Sequence, residues 1–199
     1  MNPVRCSFIR DVLCRHFDRD ARAPEPLAGL RLLDVGCGGG ILCVRRCARC
    51  VAHADSCACR VEPLARLGAD VLGVDAVARS VAVARAHAAR DPSVRTRASY
   101  RAALAEELAA EGARFDAVLS LEVAEHVADV PAFTAALAGL VEPRGVLVLS
   151  TVNRTLRSYA LGVVAAERLL SLVPAGTHDW SRFLTPDELA GACGRAAVW

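Results

Sequence analysis

The stretch Leu30-Arg31-Leu32-Leu33-Asp34-Val35-Gly36-Cys37-Gly38-Gly39-Gly40 decides the fold. Leu30 to Val35 is a short apolar run interrupted by Arg31, which reads as a buried strand. Gly36 to Gly40 then stops any regular element, and Ile41-Leu42 opens a helical pattern. Strand, glycine turn, helix is the plan of a nucleotide-binding crossover unit. Glycine permits positive φ and lets a ligand approach the backbone closely. A helix starting behind the turn offers unpaired N–H groups.

The spacing within the turn refines this reading. Asp34-x-Gly36-x-Gly38-x-Gly40 differs from the dinucleotide fingerprint G-x-G-x-x-G. A carboxylate two residues before the first glycine is awkward beside a pyrophosphate and suits a cationic ligand better. The pattern resembles the first motif of the Rossmann-like S-adenosylmethionine-dependent methyltransferases. A nicotinamide dehydrogenase fits the spacing poorly.

At 199 residues the chain is long enough for one domain with a sound core. A net charge of +2 makes no electrostatic case for a nucleic-acid partner. Lysine is absent, and all 24 basic side chains are arginine, as in GC-rich coding sequences. No apolar run approaches the roughly 18 residues of a membrane span. Met1-Asn2-Pro3-Val4-Arg5 does not read as a targeting segment. Five of the nine cysteines (Cys43, Cys47, Cys50, Cys57, Cys59) crowd one stretch and the others are scattered, which favours a reducing compartment over a disulfide framework.

Met1 to Phe17 reads as a helix with Phe8, Ile9, Val12, Leu13 and Phe17 on its apolar face and Arg5 exposed. Ala69 to Asp75 is the second strand. Its terminal acid, Asp75, stands where a crossover unit places the carboxylate for ribose hydroxyls, but 39 residues after Gly36 instead of about 20. The excess matches Cys43 to Arg60, a segment rich in cysteine and arginine. Deleting it joins Leu42 to Val61 and leaves a helix that stops at Gly68. Two readings compete for the segment. One is a metal site built on Cys47-x-x-Cys50, Cys57-x-Cys59 and His53. The other is an insertion without an evolved role, such as an intron translated in frame.

Helices are expected over Ala76 to Arg90, Ala102 to Ala110 and Pro131 to Leu140, and strands over Arg95 to Tyr100, Phe115 to Leu121 and Val146 to Ser150. Glu142-Pro143-Arg144-Gly145 reads as a turn. The alternation predicts an α/β, doubly wound, mostly parallel sheet in a single domain spanning residues 1–199. Tyr159 to Val173 is apolar on most faces and reads as a core helix, a lid or a membrane-surface segment. Thr185-Pro186 opens a last helix.

Glu122-Val123-Ala124-Glu125-His126 follows the fourth strand. If a helical turn starts there, Glu122, Glu125 and His126 share a face at the sheet edge where ligands bind. Two carboxylates and an imidazole suit magnesium or a transition ion. Acids at a helix start are equally explained by the dipole.

The whole set resembles the ubiquinone-biosynthesis O-methyltransferases, which methylate polyprenylated dihydroxybenzoate and demethylubiquinol intermediates. The resemblance is carried by Asn2-Pro3-Val4-Arg5, Leu33 to Gly40, Gly73-Val74-Asp75, Glu122 to Val127, Ser158-Tyr159-Ala160-Leu161-Gly162 and Pro174-Ala175-Gly176-Thr177-His178-Asp179-Trp180. It implies that Arg5, Gly36, Asp75 and Leu121 contact S-adenosylmethionine. Glu122, Glu125 and His126 would hold a divalent metal, commonly Mg2+, with His126 as the alternative general base. Residues 151–180 would cap the site and approach the bilayer. A polyprenylated catechol-type substrate, peripheral attachment to the matrix side of the mitochondrial inner membrane and a coenzyme Q biosynthetic complex are implied in the same way. The pattern departs from that family in three respects: it lacks the chain the family has before Asn2, carries the segment Cys43 to Arg60, and stops short of a final antiparallel strand pair. An inactive or unstable splice-type variant with at most a binding role is therefore the competing expectation.

Overall fold

The computed structural model describes residues 2–38, 60–151, 153–155 and 183–196. Both readings of Cys43 to Cys59, the segment Tyr159 to Val173 and the motif Pro174 to Trp180 lie outside these residues.

Five strands form one sheet: β1 (Arg31–Val35), β2 (Asp70–Asp75), β3 (Ala98–Ala102), β4 (Phe115–Leu121) and β5 (Val141–Ser150). Their order is β3-β2-β1-β4-β5, and every pairing is parallel. The helices are α1 (Asn2–His16), α2 (Val61–Arg66), α3 (Ala78–Ala88), α4 (Ala105–Ala110), α5 (Val130–Gly139) and α6 (Pro186–Arg195). The expected α/β doubly wound architecture is what the chain adopts.

β1 shows why. It sits at the centre of the sheet, so both of its faces must be covered. Leu32 joins a cluster with Ile9 and Leu13 of α1, Val61 and Leu64 of α2, and Val81 and Ala84 of α3. Leu33 and Val35 point the other way, against Leu108 of α4, Phe133 and Leu137 of α5, and Leu140 just after α5. Each fully buried leucine contributes about 1.5–3 kcal/mol. Asp34 takes the remaining inward position with no exposed surface.

The strand pattern explains two differences from the sequence reading. The predicted turn at Glu142–Gly145 is a bulge inside β5. Phe115 pairs with Val141 while Ala117 pairs with Val146, so the intervening residues of β5 loop out of register. Arg144 adopts φ +69, and a Cβ on Gly145 would stand 2.6 Å from the carbonyl oxygen of Asp116. β3 begins at Ala98, later than Arg95, because Asp91 organises the preceding turn by accepting from Ser93 N and Ser93 Oγ.

On α1, Cys6, Ile9 and Leu13 make the buried stripe, and Phe8 remains 60% exposed. A stripe at i, i+3, i+7 points away from position 8, which corrects its assignment to the apolar face. The last helix starts as expected: Thr185 Oγ1 accepts from Glu188 N, and the Glu188 carboxylate accepts from Thr185 N.

Gly73 is a packing requirement. A Cβ there would lie 2.8 Å from Val61, 2.9 Å from the Tyr100 ring and 3.0 Å from Cys37 Sγ. Gly73→Ala is expected to lower unfolding free energy by about 1–3 kcal/mol in urea titration; unchanged stability would refute the crowding. Asp91 generates a second expectation. Hydrogen bonds from Ser93 and Arg66 depress its carboxyl to about 2. The stabilisation it gives is therefore present above the ordinary aspartate value and is lost as pH falls toward 2. Carboxyl NMR should show Asp91 titrating well below the exposed aspartates, and Ser93→Ala should move it upward.

Candidate active site

Ligand sites in open parallel sheets form beyond the carboxyl ends of the strands, where the strand order reverses. Here that point lies between β1 and β4. A cleft of about 360 Å3 opens beside it, lined by Gly36, Asp75, Ala103, Val123, His126 and Phe133 among others.

The glycine turn is fixed by hydrogen bonds. Gly36 N and Cys37 N both donate to the carbonyl of Val74, at 2.8 and 3.0 Å. Gly36 has φ +72, and a Cβ on it would lie 2.4 Å from Val123 Cγ2. Both the backbone angle and the neighbour therefore require glycine at this position. Gly38 N donates to Asp75 Oδ2 at 2.9 Å, and Val77 N donates to Asp75 Oδ1 at 2.8 Å. Each carboxylate oxygen is thus held by the backbone and keeps a lone pair for a hydroxyl.

The segment after β4 is bent. Glu122 N still donates to the Ser150 carbonyl, which prolongs the ladder by one residue. Glu122 then takes φ +58, an uncommon angle for a residue with a side chain. Only Ala124–His126 forms a 3-10 turn. The three expected ligands consequently do not share a helix face. Glu122 is half-exposed and paired with Arg5 of α1. Glu125 is buried and accepts from Thr151 Oγ1 at 3.0 Å. His126 is exposed and lines the cleft. Among the described residues no three His, Cys, Asp or Glu side chains gather closely enough to hold an ion. The donor chemistry of Glu122, Glu125 and His126 suits a hard divalent ion, but Arg5 and Thr151 hold the two carboxylates.

Of the expected cofactor contacts, Gly36 and Asp75 share the cleft with His126. Leu121 is buried at the end of β4, and Arg5 stands beyond it against Glu122. Sequence reasoning missed Ala103 and Leu104, which line the cleft just after β3. Their position at a carboxyl strand end was the available signal. It also missed the pairing of Arg60 with Asp34, for which no signal existed.

A family model described as a methyltransferase domain matches residues 7–196. The mitochondrial ubiquinone biosynthesis O-methyltransferase of Arabidopsis thaliana is 48% identical over 198 residues, spanning 100% of this chain and 56% of that protein. The ubiquinone biosynthesis O-methyltransferase of Azorhizobium caulinodans is 48% identical over 196 residues, 98% of this chain and 69% of its own length. The chain thus spans a little over half of the plant relative. Among solved structures, magnesium protoporphyrin IX methyltransferase from Synechocystis superposes with a TM-score of 0.61 at 21% identity, over 96% of this chain and 72% of that one. The cyclase SpnF gives 0.57 at 19% identity, over 96% and 57%. At such identities the superpositions speak for the fold alone, and a cyclase among them shows that this fold serves more than one chemistry. Sequence identity supplies what the fold cannot: the chain belongs to the ubiquinone biosynthesis O-methyltransferase family, in the S-adenosylmethionine-dependent methyltransferase fold.

Proposed function

We propose that this chain transfers a methyl group from S-adenosylmethionine to a ring hydroxyl of a polyprenylated catechol-type intermediate of ubiquinone biosynthesis. The observation that carries this reading is the cleft uniting Gly36, Asp75 and His126 at the carboxyl edge of the sheet, in a chain 48% identical to relatives named ubiquinone biosynthesis O-methyltransferase.

The residues divide the work. Gly36, with no side chain, lets the donor lie against the turn. Asp75, held by Gly38 N and Val77 N, accepts from the donor's ribose hydroxyls. Ala103 and Phe133 give the cleft apolar surface for the adenine. His126, at the mouth, accepts the proton of the ring hydroxyl, which raises the oxygen's nucleophilicity. The oxygen then bonds to the methyl carbon as the carbon–sulfur bond breaks, and sulfur keeps the electron pair. Holding the two reactants in line supplies much of the rate. In the alternative reading, where Glu122 and Glu125 leave Arg5 and Thr151 and join His126 in holding a divalent ion, the ion and not the imidazole would lower the hydroxyl's pKa.

The mitochondrial name of the Arabidopsis relative supports mitochondrial action. Among the described residues no helix is long and apolar enough to cross a membrane. Peripheral attachment to the matrix side of the inner membrane, within a coenzyme Q biosynthetic complex, is proposed on the family resemblance alone. The competing expectation of a chain with at most a binding role is answered by the same assays.

Calorimetry with S-adenosylhomocysteine tests the site. Wild type is expected to bind, and Asp75→Ala to bind about 10–100-fold more weakly, as loss of hydrogen bonds to a charged acceptor implies; equal affinity would remove Asp75 from the site. His126→Ala is expected to lower kcat by about 10²–10⁴ with little change in donor affinity. An unchanged kcat on a catechol substrate would end the assignment of His126. Turnover that survives chelation with EDTA would leave the imidazole as the sole base.

A further inference from the structure

A buried ion pair stands directly behind the glycine turn. Asp34 is 0% exposed and Arg60 is 5% exposed. Arg60 Nε and Nη2 donate to Asp34 Oδ1 at 3.0 and 2.8 Å. Nη2 also reaches the Gly36 carbonyl at 3.3 Å. Asp34 Oδ2 is buried with no hydrogen-bond partner. Burial pushes the Asp34 carboxyl upward, and the Arg60 guanidinium pulls it the other way.

A carboxylate and a carbonyl side by side are two acceptors for one cation. Gly36, which owns the carbonyl, lines the cleft, and Asp34 stands buried behind it, two residues earlier in the chain. S-adenosylmethionine presents an ammonium group at its amino-acid end, which complements them. Arg60 is the final residue of Cys43 to Arg60, whose deletion would join Leu42 to Val61. Arg60 thus sets a guanidinium on both acceptors behind the turn.

We propose that Arg60 is a resident competitor of the methyl donor: its guanidinium occupies the Asp34 and Gly36 acceptors that the donor's ammonium group uses. The proposal rests on the methyl-donor reading above. Donor binding displaces the guanidinium from Gly36 and shares Asp34 with it, so the two cations are negatively coupled. A purely supporting role, in which Arg60 holds the turn in shape for the donor, predicts coupling of the opposite sign.

Calorimetry with S-adenosylhomocysteine, which keeps the ammonium group, separates these. The full chain is compared with Arg60→Ala and Arg60→Lys. Arg60→Ala is expected to bind about tenfold more tightly than wild type. Millimolar guanidinium chloride, far below denaturing levels, is expected to weaken that binding again while leaving wild type unaffected. Weaker binding by Arg60→Ala, restored by guanidinium, overturns the proposal in favour of a support, and unchanged affinity overturns it outright. Removing one partner of a buried pair endangers folding. Should Arg60→Ala fail to fold, Arg60→Lys decides, because lysine keeps the charge but lacks the paired Nε–H and Nη2–H bonds to Asp34 and so holds the acceptors less firmly. Tighter binding than wild type supports competition; equal or weaker binding refutes it. No binding by any variant that folds by circular dichroism would refute the methyl-donor reading, and this proposal with it.

Discussion

The carbonyl of Val74 is the point on which the site depends. It accepts from Gly36 N and Cys37 N together, so the end of β2 fixes the conformation of the turn that leaves β1. The same turn sends Gly38 N to the carboxylate one residue further along β2. Three backbone donors thus tie two neighbouring strands at their carboxyl ends, and the cleft is the space this knot leaves against the segment after β4. Val123 closes the knot from the opposite side, at a distance from Gly36 that no side chain tolerates.

Much of this was legible in the amino-acid sequence, for physical reasons. β1, β2 and β4 are apolar on both faces because a central parallel strand is covered twice, and such runs are hard to mistake. Asp75 was found because it ends a strand beside a glycine turn. β3 was blurred, since an edge strand such as Ala98-Ser99-Tyr100-Arg101-Ala102 buries only Tyr100 fully and gives little periodicity. Glu142–Gly145 read as a turn, whereas it is a bulge inside β5, because the sequence holds nothing to say that the strand runs on both sides of it.

The cluster Glu122-Val123-Ala124-Glu125-His126 illustrates the opposite case. Residue types announced a site, and spacing suggested a shared face. Spacing predicts direction only when the backbone is a regular helix. One left-handed residue, Glu122, sends its side chain to Arg5, while Glu125 turns inward to Thr151. The partners of both carboxylates lie far away in sequence. The Asp34–Arg60 pair was illegible for the same reason, since a buried salt bridge is a statement about tertiary distance and its arginine comes from a segment without any pattern.

The sheet order carries a consequence for how the chain reaches this state. β1 is synthesised before both of the strands that flank it, β2 and β4. Neither edge of β1 can be satisfied locally, and its second neighbour ends at Leu121. At ribosomal speeds of about 5–20 residues per second, the wait for that neighbour is on the order of ten seconds. During that interval Leu32, Leu33 and the apolar stripe of α1 have no complete surface to bury against. The apolar surface of β1 stays uncovered on one side until β4 is made, and that interval lengthens with every residue placed between β1 and β2.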